Sequence, residues 1–420
     1  MKVKLSPSGL NGKVDAPASK SHLHRALICA SVSDRPTKII TSSFANDVKA
    51  TISCLTSLGA KIEYDSNILT VHPIEKTDGE CVLDCNESGS TLRFMLPFAA
   101  ALGRKCTFIG AERLGKRPLL PLCEALKKHG VRVSHGEGFL PCTIEGKLPG
   151  GEYEIAGNIS SQFITGLLLS LGVTGGGKIV CTTPIESASY INITIDTLNK
   201  FGIKVIKNEN TFVIEEGQKY TSPDTLKAEG DYSNGAFFLV AGAISSENGV
   251  EVSSLFENTT QGDRAIIDIL TKMGAKISRT DDKVTVYKSN LTATEIDCSD
   301  IPDLVPILAV AASAAEGETV FKNTARLRMK ESDRVETTVA MIKNLGGKIR
   351  FDENNIYVTG TPLKGGVVNS ANDHRIAMST AIASLICDGD VIIEDAKAVE
   401  KSYADFYEKF TMLGGKCCEL

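Results

Sequence analysis

The sequence predicts an α/β fold of two similar domains, each built from three copies of one repeat. Three observations carry this. A glycine-centred pattern recurs six times along the 420 residues. A Ser- or Asp-rich helix start recurs six times at nearly the same period. Short β-type runs broken by Asn or Asp follow the glycines.

The glycine pattern reads SLGAKI, KHGVRV, KFGIKV, KMGAKI, NLGGKI and MLGGKC. Its first glycines are Gly59, Gly130, Gly202, Gly274, Gly346 and Gly414, at intervals of 71, 72, 72, 72 and 68 residues. An amphipathic segment precedes each glycine, as in IIDILTKMG, where Ile266, Ile267, Ile269 and Leu270 recur near helical spacing. The glycine suits the left-handed position that ends such a helix. KIEYDSNILTVH, KVIKNENTFVIE and KIRFDENNIYVTG then read as strand, polar turn, strand, which is a hairpin.

The second motif reads SKSHLHRALICA, ESGSTLRFMLPFAAA, SSQFITGLLLSLG, DYSNGAFFLVAGA, DIPDLVPILAVAA and DHRIAMSTAIAS. Its markers Ser21, Ser90, Ser161, Ser233, Asp303 and Asp373 are 69, 71, 72, 70 and 70 residues apart. These helices carry few charges beyond their first turn, which predicts burial, with the amphipathic helices outside. The unit is therefore strand, buried helix, strand, outer helix, hairpin. Six such units are expected to form two domains of three, with the polar helix starts emerging at a common face.

Composition is that of a soluble protein, 42% hydrophobic and 23% charged, with a net charge of -5. No overall basic excess meets a polyanion, so nucleic acid is not the expected partner. MKVKLSPSGLNGKV lacks the apolar core of a signal peptide, and no apolar run is long enough to span a membrane. The twelve cysteines include no C-x-x-C pair, so they read as reduced thiols and not as zinc ligands. A cytoplasmic location is the expectation. GVTGGGK, residues 172–178, has the spacing of a P-loop, but Ile179 follows, and the segment lies after a helix and before a strand. Neither G-x-S-x-G nor H-E-x-x-H occurs.

The helix starts raise a chemical question. Lys20 and Arg25 flank the first, Arg93 lies near the second, and His374 and Arg375 open the sixth. A helix N-terminus is already partly positive, so added cations repel it. Salt bridges to neighbouring acids are one answer. The other is a bound polyanion, on which free amides, hydroxyls and guanidinium groups converge. ERLGKRPL (112–119), read as a loop, adds Arg113, Lys116 and Arg117; RLRMKESDR (326–334) adds Arg326, Arg328, Lys330 and Arg334 with Glu331 and Asp333. Lys401 precedes an aromatic-rich helix. Asp303 is either an N-cap or an acid–base group. Glu331, bracketed by cations, is a second carboxylate candidate, and His22, His24 and His374 are candidate shuttles or hydrogen-bond partners.

KSHLHRA, ESGSTLR, GKRP, SSQF, SASYINIT, IPD, KESDR, NDHR and the late Lys401, in this order and spacing, resemble the 5-enolpyruvylshikimate-3-phosphate synthase (3-phosphoshikimate 1-carboxyvinyltransferase) family over nearly the full length. The resemblance implies two domains of three βαβαββ repeats, an inside-out α/β barrel in which the chain crosses over twice. Residues 17–227 would form one domain, mainly on the shikimate 3-phosphate side, and 1–16 with 228–420 the other. It implies transfer of the enolpyruvyl group of phosphoenolpyruvate to the 5-hydroxyl of shikimate 3-phosphate, with release of phosphate. The route would be addition–elimination through a tetrahedral intermediate in the interdomain cleft, on the way to chorismate and the aromatic amino acids. No metal or organic cofactor is implied, and a monomer is expected.

By the same resemblance, Lys20, Ser21, Arg25, Ser160, Ser161, Gln162, Ser187, Asp303 and Lys330 would hold shikimate 3-phosphate. Lys20, Gly89, Arg117, Gln162, Arg334, Arg375 and Lys401 would hold phosphoenolpyruvate. Asp303 would take the proton of the attacking hydroxyl, and Glu331 would serve the methylene carbon. Lys20 and Lys401 would stabilise the intermediate's charge, with His374 as a helper.

Two departures stand out. ESGS (87–90) replaces the common Asn-Ala-Gly-Thr, and Arg326 stands where many members carry an asparagine. By the resemblance, Gly89 would leave room for the herbicide glyphosate at the phosphoenolpyruvate site. The sister enzymes acting on UDP-N-acetylglucosamine usually carry a reactive cysteine in the loop matching AERLGKRP, which has none here. A non-catalytic anion binder would not need Asp303, Glu331 and Lys401 together. A cleft lined with like charges should open when empty and close on its anions.

Overall fold

The computed structural model describes every residue except 42, 43, 76–78 and 137. The chain divides into two units, Ala18–Ala228 and Met1–Pro17 with Glu229–Leu420, each around its own hydrophobic core.

All six pattern glycines do what their spacing predicts. They follow the outer helices Asn46–Ser57, Leu120–Lys128, Ala188–Lys200, Ala265–Lys272, Arg334–Asn344 and Phe406–Met412. Each has a positive φ, from 80° at Gly346 to 107° at Gly59, the left-handed region where a side chain is strained.

Six helices lie inside: α1 (Lys20–Ala30), α2 (Gly89–Ala101), α3 (Ser161–Thr174), α4 (Tyr232–Ser245), α5 (Val305–Ser313) and α6 (His374–Ala383). Five begin at a Ser or Asp that accepts from a first-turn amide: Ser19, Ser88, Ser160, Asp231 and Asp373. The caps thus sit up to two residues before the markers read from the sequence. The fifth differs: Pro302–Leu304 forms a 3-10 turn into α5, and no side chain caps it. Asp303 is therefore not an N-cap.

Around these helices stand six four-stranded sheets, three in each unit, none closed into a barrel among the described residues. Burial alternates along strands such as Ile68–His72 and Val250–Ser253, so one face packs inward and the other is wet. In five sheets two parallel strands are followed by an antiparallel hairpin. The sixth is completed from a distance. After Gly414 only Lys416–Glu419 follows, and its antiparallel partner is Lys2–Ser6, which also pairs with Val391–Glu394.

Two strands exchange places at the crossings. Gly12–Asp15, which leads into α1, pairs with Val250–Ser253 in the unit of the chain ends. Thr225–Lys227, which leads into α4, pairs with Thr37–Ile40 in the other unit.

Candidate active site

In the unit 18–228 the starts of α1, α2 and α3 are tied together by buried polar groups. Gly166 lets α3 approach α2 closely. A Cβ there would collide with the Arg93 carbonyl oxygen and lie 2.9 Å from Pro97 Cγ. That approach lets Arg93 Nη1 donate to Gln162 Oε1 at 2.7 Å, while Gln162 Nε2 donates to Ser90 Oγ at 3.0 Å. Arg93 Nη2 also donates to the Pro118 carbonyl at 3.0 Å, holding the segment that carries Arg117. Gly89, the first residue of α2, faces Arg117: a Cβ built on it would sit 2.5 Å from Arg117 Nη1 and 3.1 Å from Arg93 Nη1.

Arg25 is only 2% exposed, and its partners among the described residues are all uncharged oxygens. It donates to Thr194 Oγ1 at 2.7 Å, the Ser21 carbonyl at 2.6 Å, the Tyr190 carbonyl at 2.9 Å and Thr165 Oγ1 at 3.3 Å. Its guanidinium also lies 5.0 Å from the centre of the Phe94 ring. Burial depresses its pKa, because nothing anionic offsets the lost hydration. A bound anion would offset it. Ser187, buried with φ 54°, opens the helix Ala188–Lys200 that supplies Tyr190 and Thr194. Lys20 Nζ meets Asp47 Oδ2 at 2.9 Å.

The other unit solves the same charge problem differently. Arg334, 1% exposed, donates to four carboxylate oxygens: Nη1 to Asp303 at 2.6 Å, Nη2 to Glu331 at 2.6 Å and to Asp373 Oδ1 at 3.3 Å, and Nε to Asp373 Oδ2 at 2.9 Å. Burial works against its charge, but Asp373, Glu331 and Asp303 outweigh it and hold its pKa well above the arginine norm. Arg375 reaches Asp303 Oδ2 at 3.3 Å and the Ser233 carbonyl at 2.9 Å; Lys330 lies 3.6 Å from Asp303 Oδ1. Asp373 caps α6 by accepting from the Arg375 amide at 2.9 Å and also accepts from Ser332 Oγ at 2.8 Å. Lys401 Nζ donates to the Asn372 carbonyl at 2.7 Å.

Arg375 and Arg334 thus answer to acids in this unit, whereas Arg25 is left to neutral oxygens. Salt bridges therefore account for Lys20, Arg334 and Arg375, whereas for Arg25 no acid is in place among the described residues. Asp303, Glu331, Lys330, Arg334 and Arg375 come together in one cluster, and Lys401 is held beside the start of α6. Ser21, Arg25, Ser187 and the α3 start Ser160–Gln162 are joined through Arg25, Arg93 and the helices they bridge, with Gly89 and Arg117 alongside.

Other readings change. ERLGKRPL is not all loop, since Glu112–Gly115 forms one helical turn and Lys116 pairs with Glu112 at 2.5 Å on the surface. His24 is no shuttle: it is buried, and Nδ1 meets Thr51 Oγ1 at 2.7 Å in a hydroxyl chain running on to Thr91 at 2.8 Å. Burial, with Lys20 and Arg25 adding to it, drives its pKa well below the usual value. GVTGGGK closes α3 through Gly175 in the left-handed conformation, as its order of helix before strand requires. Sequence reasoning missed Asp47, the partner of Lys20, and Asp263, which accepts from Ser233 Oγ. No local pattern marks either. No group of three or more metal-ligating side chains occurs among the described residues, and no described helix is long and apolar enough to cross a membrane.

The profile of the family described as EPSP synthase (3-phosphoshikimate 1-carboxyvinyltransferase) matches residues 5–410. The chain is 43% identical to a 3-phosphoshikimate 1-carboxyvinyltransferase of Clostridium novyi, across 98% of this chain and 97% of that one. It is 41% identical to the protein of the same name from Clostridioides difficile, across 99% and 98%. Among solved structures, an EPSP synthase from Acinetobacter baumannii matches with a TM-score of 0.85 at 26% identity, covering all of both chains. The enolpyruvyl transferase NikO from Streptomyces tendae shares the fold alone, with a TM-score of 0.80 at 16% identity over 99% of this chain and 98% of that one. The chain belongs to the EPSP synthase (3-phosphoshikimate 1-carboxyvinyltransferase) family.

Proposed function

We infer that this chain transfers the enolpyruvyl group of phosphoenolpyruvate to the 5-hydroxyl of shikimate 3-phosphate and releases phosphate, as a step of aromatic amino-acid biosynthesis. The observation that best supports the residue roles is the Arg334 guanidinium, which holds Asp303 on one terminal nitrogen and Glu331 on the other. The reaction needs two proton-transfer groups, one for a hydroxyl and one for a methylene carbon, and a single buried cation positions both carboxylates.

In this reading Asp303 accepts the hydroxyl proton as oxygen attacks the enol carbon. Glu331 serves the proton that joins and then leaves the methylene. Arg25, Ser21, Ser160, Ser161, Gln162, Ser187 and Lys330 bind shikimate 3-phosphate. Lys20, Arg117, Arg334, Arg375 and Lys401 bind phosphoenolpyruvate, with Gly89 keeping space clear, a space that glyphosate would also use. Anionic substrates compete with Asp303 and Glu331 for the same guanidinium groups, so binding loosens the carboxylates as the reaction calls on them. No metal or organic cofactor enters the scheme. A cytoplasmic monomer completes the proposal, and light scattering coupled to size exclusion checks the oligomeric part.

The deciding experiment measures phosphate release from phosphoenolpyruvate with shikimate 3-phosphate, with UDP-N-acetylglucosamine, and with neither. Release only with shikimate 3-phosphate is the expected result. Release only with the nucleotide sugar, or none from folded protein, overturns the assignment.

A further inference from the structure

Two cysteines outside the site face each other across a sheet edge. Cys81 opens the strand Cys81–Asp84 and Cys106 opens Cys106–Ile109; the strands are parallel and their register sets these two residues side by side. Residues opposite each other in parallel strands point to the same face. Leu83 and Phe108, two positions on, are fully buried, so that face is the core. Cys106 is buried as well, but Cys81 lies on the edge strand of its sheet and is partly exposed. Their sulfurs are 2.9 Å apart. A disulfide needs about 2.05 Å, so less than an ångström of approach closes the bond.

The surroundings favour a thiolate on the outer sulfur. The hydrogen bond from Cys106 and the nearby Arg104 cation bring the Cys81 thiol down to about 7, against the effect of burial. The neighbouring Cys123 and Cys142 also share a sulfur hydrogen bond, but both are fully buried. Cys417 and Cys418, adjacent in one strand, point to opposite faces. Only the first pair joins sulfur contact to solvent access among the described residues.

We propose that Cys81 and Cys106 form an oxidisable dithiol whose substrates are hydroperoxides, with Cys81 the attacking sulfur and Cys106 the resolving one. The Cys81 thiolate attacks one peroxide oxygen; the S–O bond forms as the O–O bond breaks, and the other oxygen leaves as hydroxide and takes up a proton. Cys106 then attacks the Cys81 sulfenic acid, its proton leaving with the hydroxyl as water. The two thiols lose two electrons and two protons, and hydrogen peroxide becomes two waters. An external dithiol restores the pair by exchange. The bond joins strands already paired, so it displaces neither of them.

The test treats the reduced, desalted full chain with hydrogen peroxide in small excess and maps peptides by mass without reduction. The expected first product is one cross-linked peptide pair containing Cys81 and Cys106, 2 Da lighter than the thiols and reversed by dithiothreitol. Cys106→Ser should stop at a sulfenic acid on Cys81 that dimedone traps, and Cys81→Ser should slow peroxide consumption at least tenfold. A first disulfide at Cys123–Cys142, at Cys417–Cys418 or between chains overturns the proposal. So does an unchanged thiol count in the wild-type chain, a result that does not depend on how the variants fold.

Discussion

Arg334 Nη1 and Asp303 Oδ1 lie 2.6 Å apart, with the guanidinium 1% and the carboxylate 19% exposed. The base candidate is thus anchored to a cation that water barely reaches. Breaking such a pair leaves uncompensated buried charge and typically costs about 3–5 kcal/mol. Arg334→Gln should lose stability on that scale in urea unfolding, because Asp373, Glu331 and Asp303 all lose their contact with the same guanidinium. Arg334→Lys should also fall well short of wild type, since one ammonium cannot serve three carboxylates in fork geometry. Wild-type stability in either variant would show that the network contributes little.

Asp303→Asn keeps the shape of the side chain and removes the carboxylate proposed as the base. Turnover should fall by about 10²–10⁴-fold, the usual range for a general base. Binding of shikimate 3-phosphate, followed by calorimetry, should change far less. An equal loss in both would make Asp303 a binding group only.

Gly89→Ala places a methyl group where Arg117 Nη1 would be 2.5 Å away. The guanidinium must move. The expected result is a KM for phosphoenolpyruvate raised about tenfold, which corresponds to about 1.4 kcal/mol of lost binding, with the KM for shikimate 3-phosphate nearly unchanged. Inhibition by glyphosate should weaken in parallel. A change confined to kcat would remove Arg117 from the phosphoenolpyruvate site.

His24 sets an acid limit on stability. Its folded pKa is depressed, first by burial and then by Lys20 and Arg25. The unfolded chain therefore takes up a proton near pH 6.5 that the folded chain refuses. The stabilisation is complete above that value and is lost as pH falls below it, by up to about 1.4 kcal/mol per pH unit from this one residue. His24→Gln, which can still bond Thr51, should flatten unfolding free energy against pH between 6.5 and 5. An unchanged slope would place the acid sensitivity elsewhere.

Much of the architecture is legible because its rules are local. A helix that must end on a left-handed residue selects glycine, so Gly59 through Gly414 mark six helix ends at one period. Ser19, Ser88, Ser160, Asp231 and Asp373 mark helix starts for an equally local reason, an acceptor for free amides. What could not be read depends on partners far along the chain. Asp47 is 27 residues from Lys20, and Asp303 is 72 from Arg375. Nothing near Arg375 indicates that its charge is met by Asp303, or near Arg25 that its own is met by threonine hydroxyls and carbonyls. The strand exchange at Gly12–Asp15 and Thr225–Lys227 is equally non-local, because each segment is a plausible strand in either unit.

The sheet that joins Lys2–Ser6 to Lys416–Glu419 bears on how the polypeptide is made. A ribosome delivers Lys2–Ser6 long before Lys416–Glu419, so that sheet cannot close until residue 419 has left the exit tunnel. The stretch 18–228 carries no such delay, since all its pairing partners are present once Lys227 emerges. Translation therefore sets an order: the inserted half matures while its host waits, with Gly12–Asp15 unpaired until Val250–Ser253 emerges and Lys2–Ser6 unpaired until the last strands do. The latter strand is short and carries Lys2 and Lys4, which suits a segment that must stay soluble in the meantime.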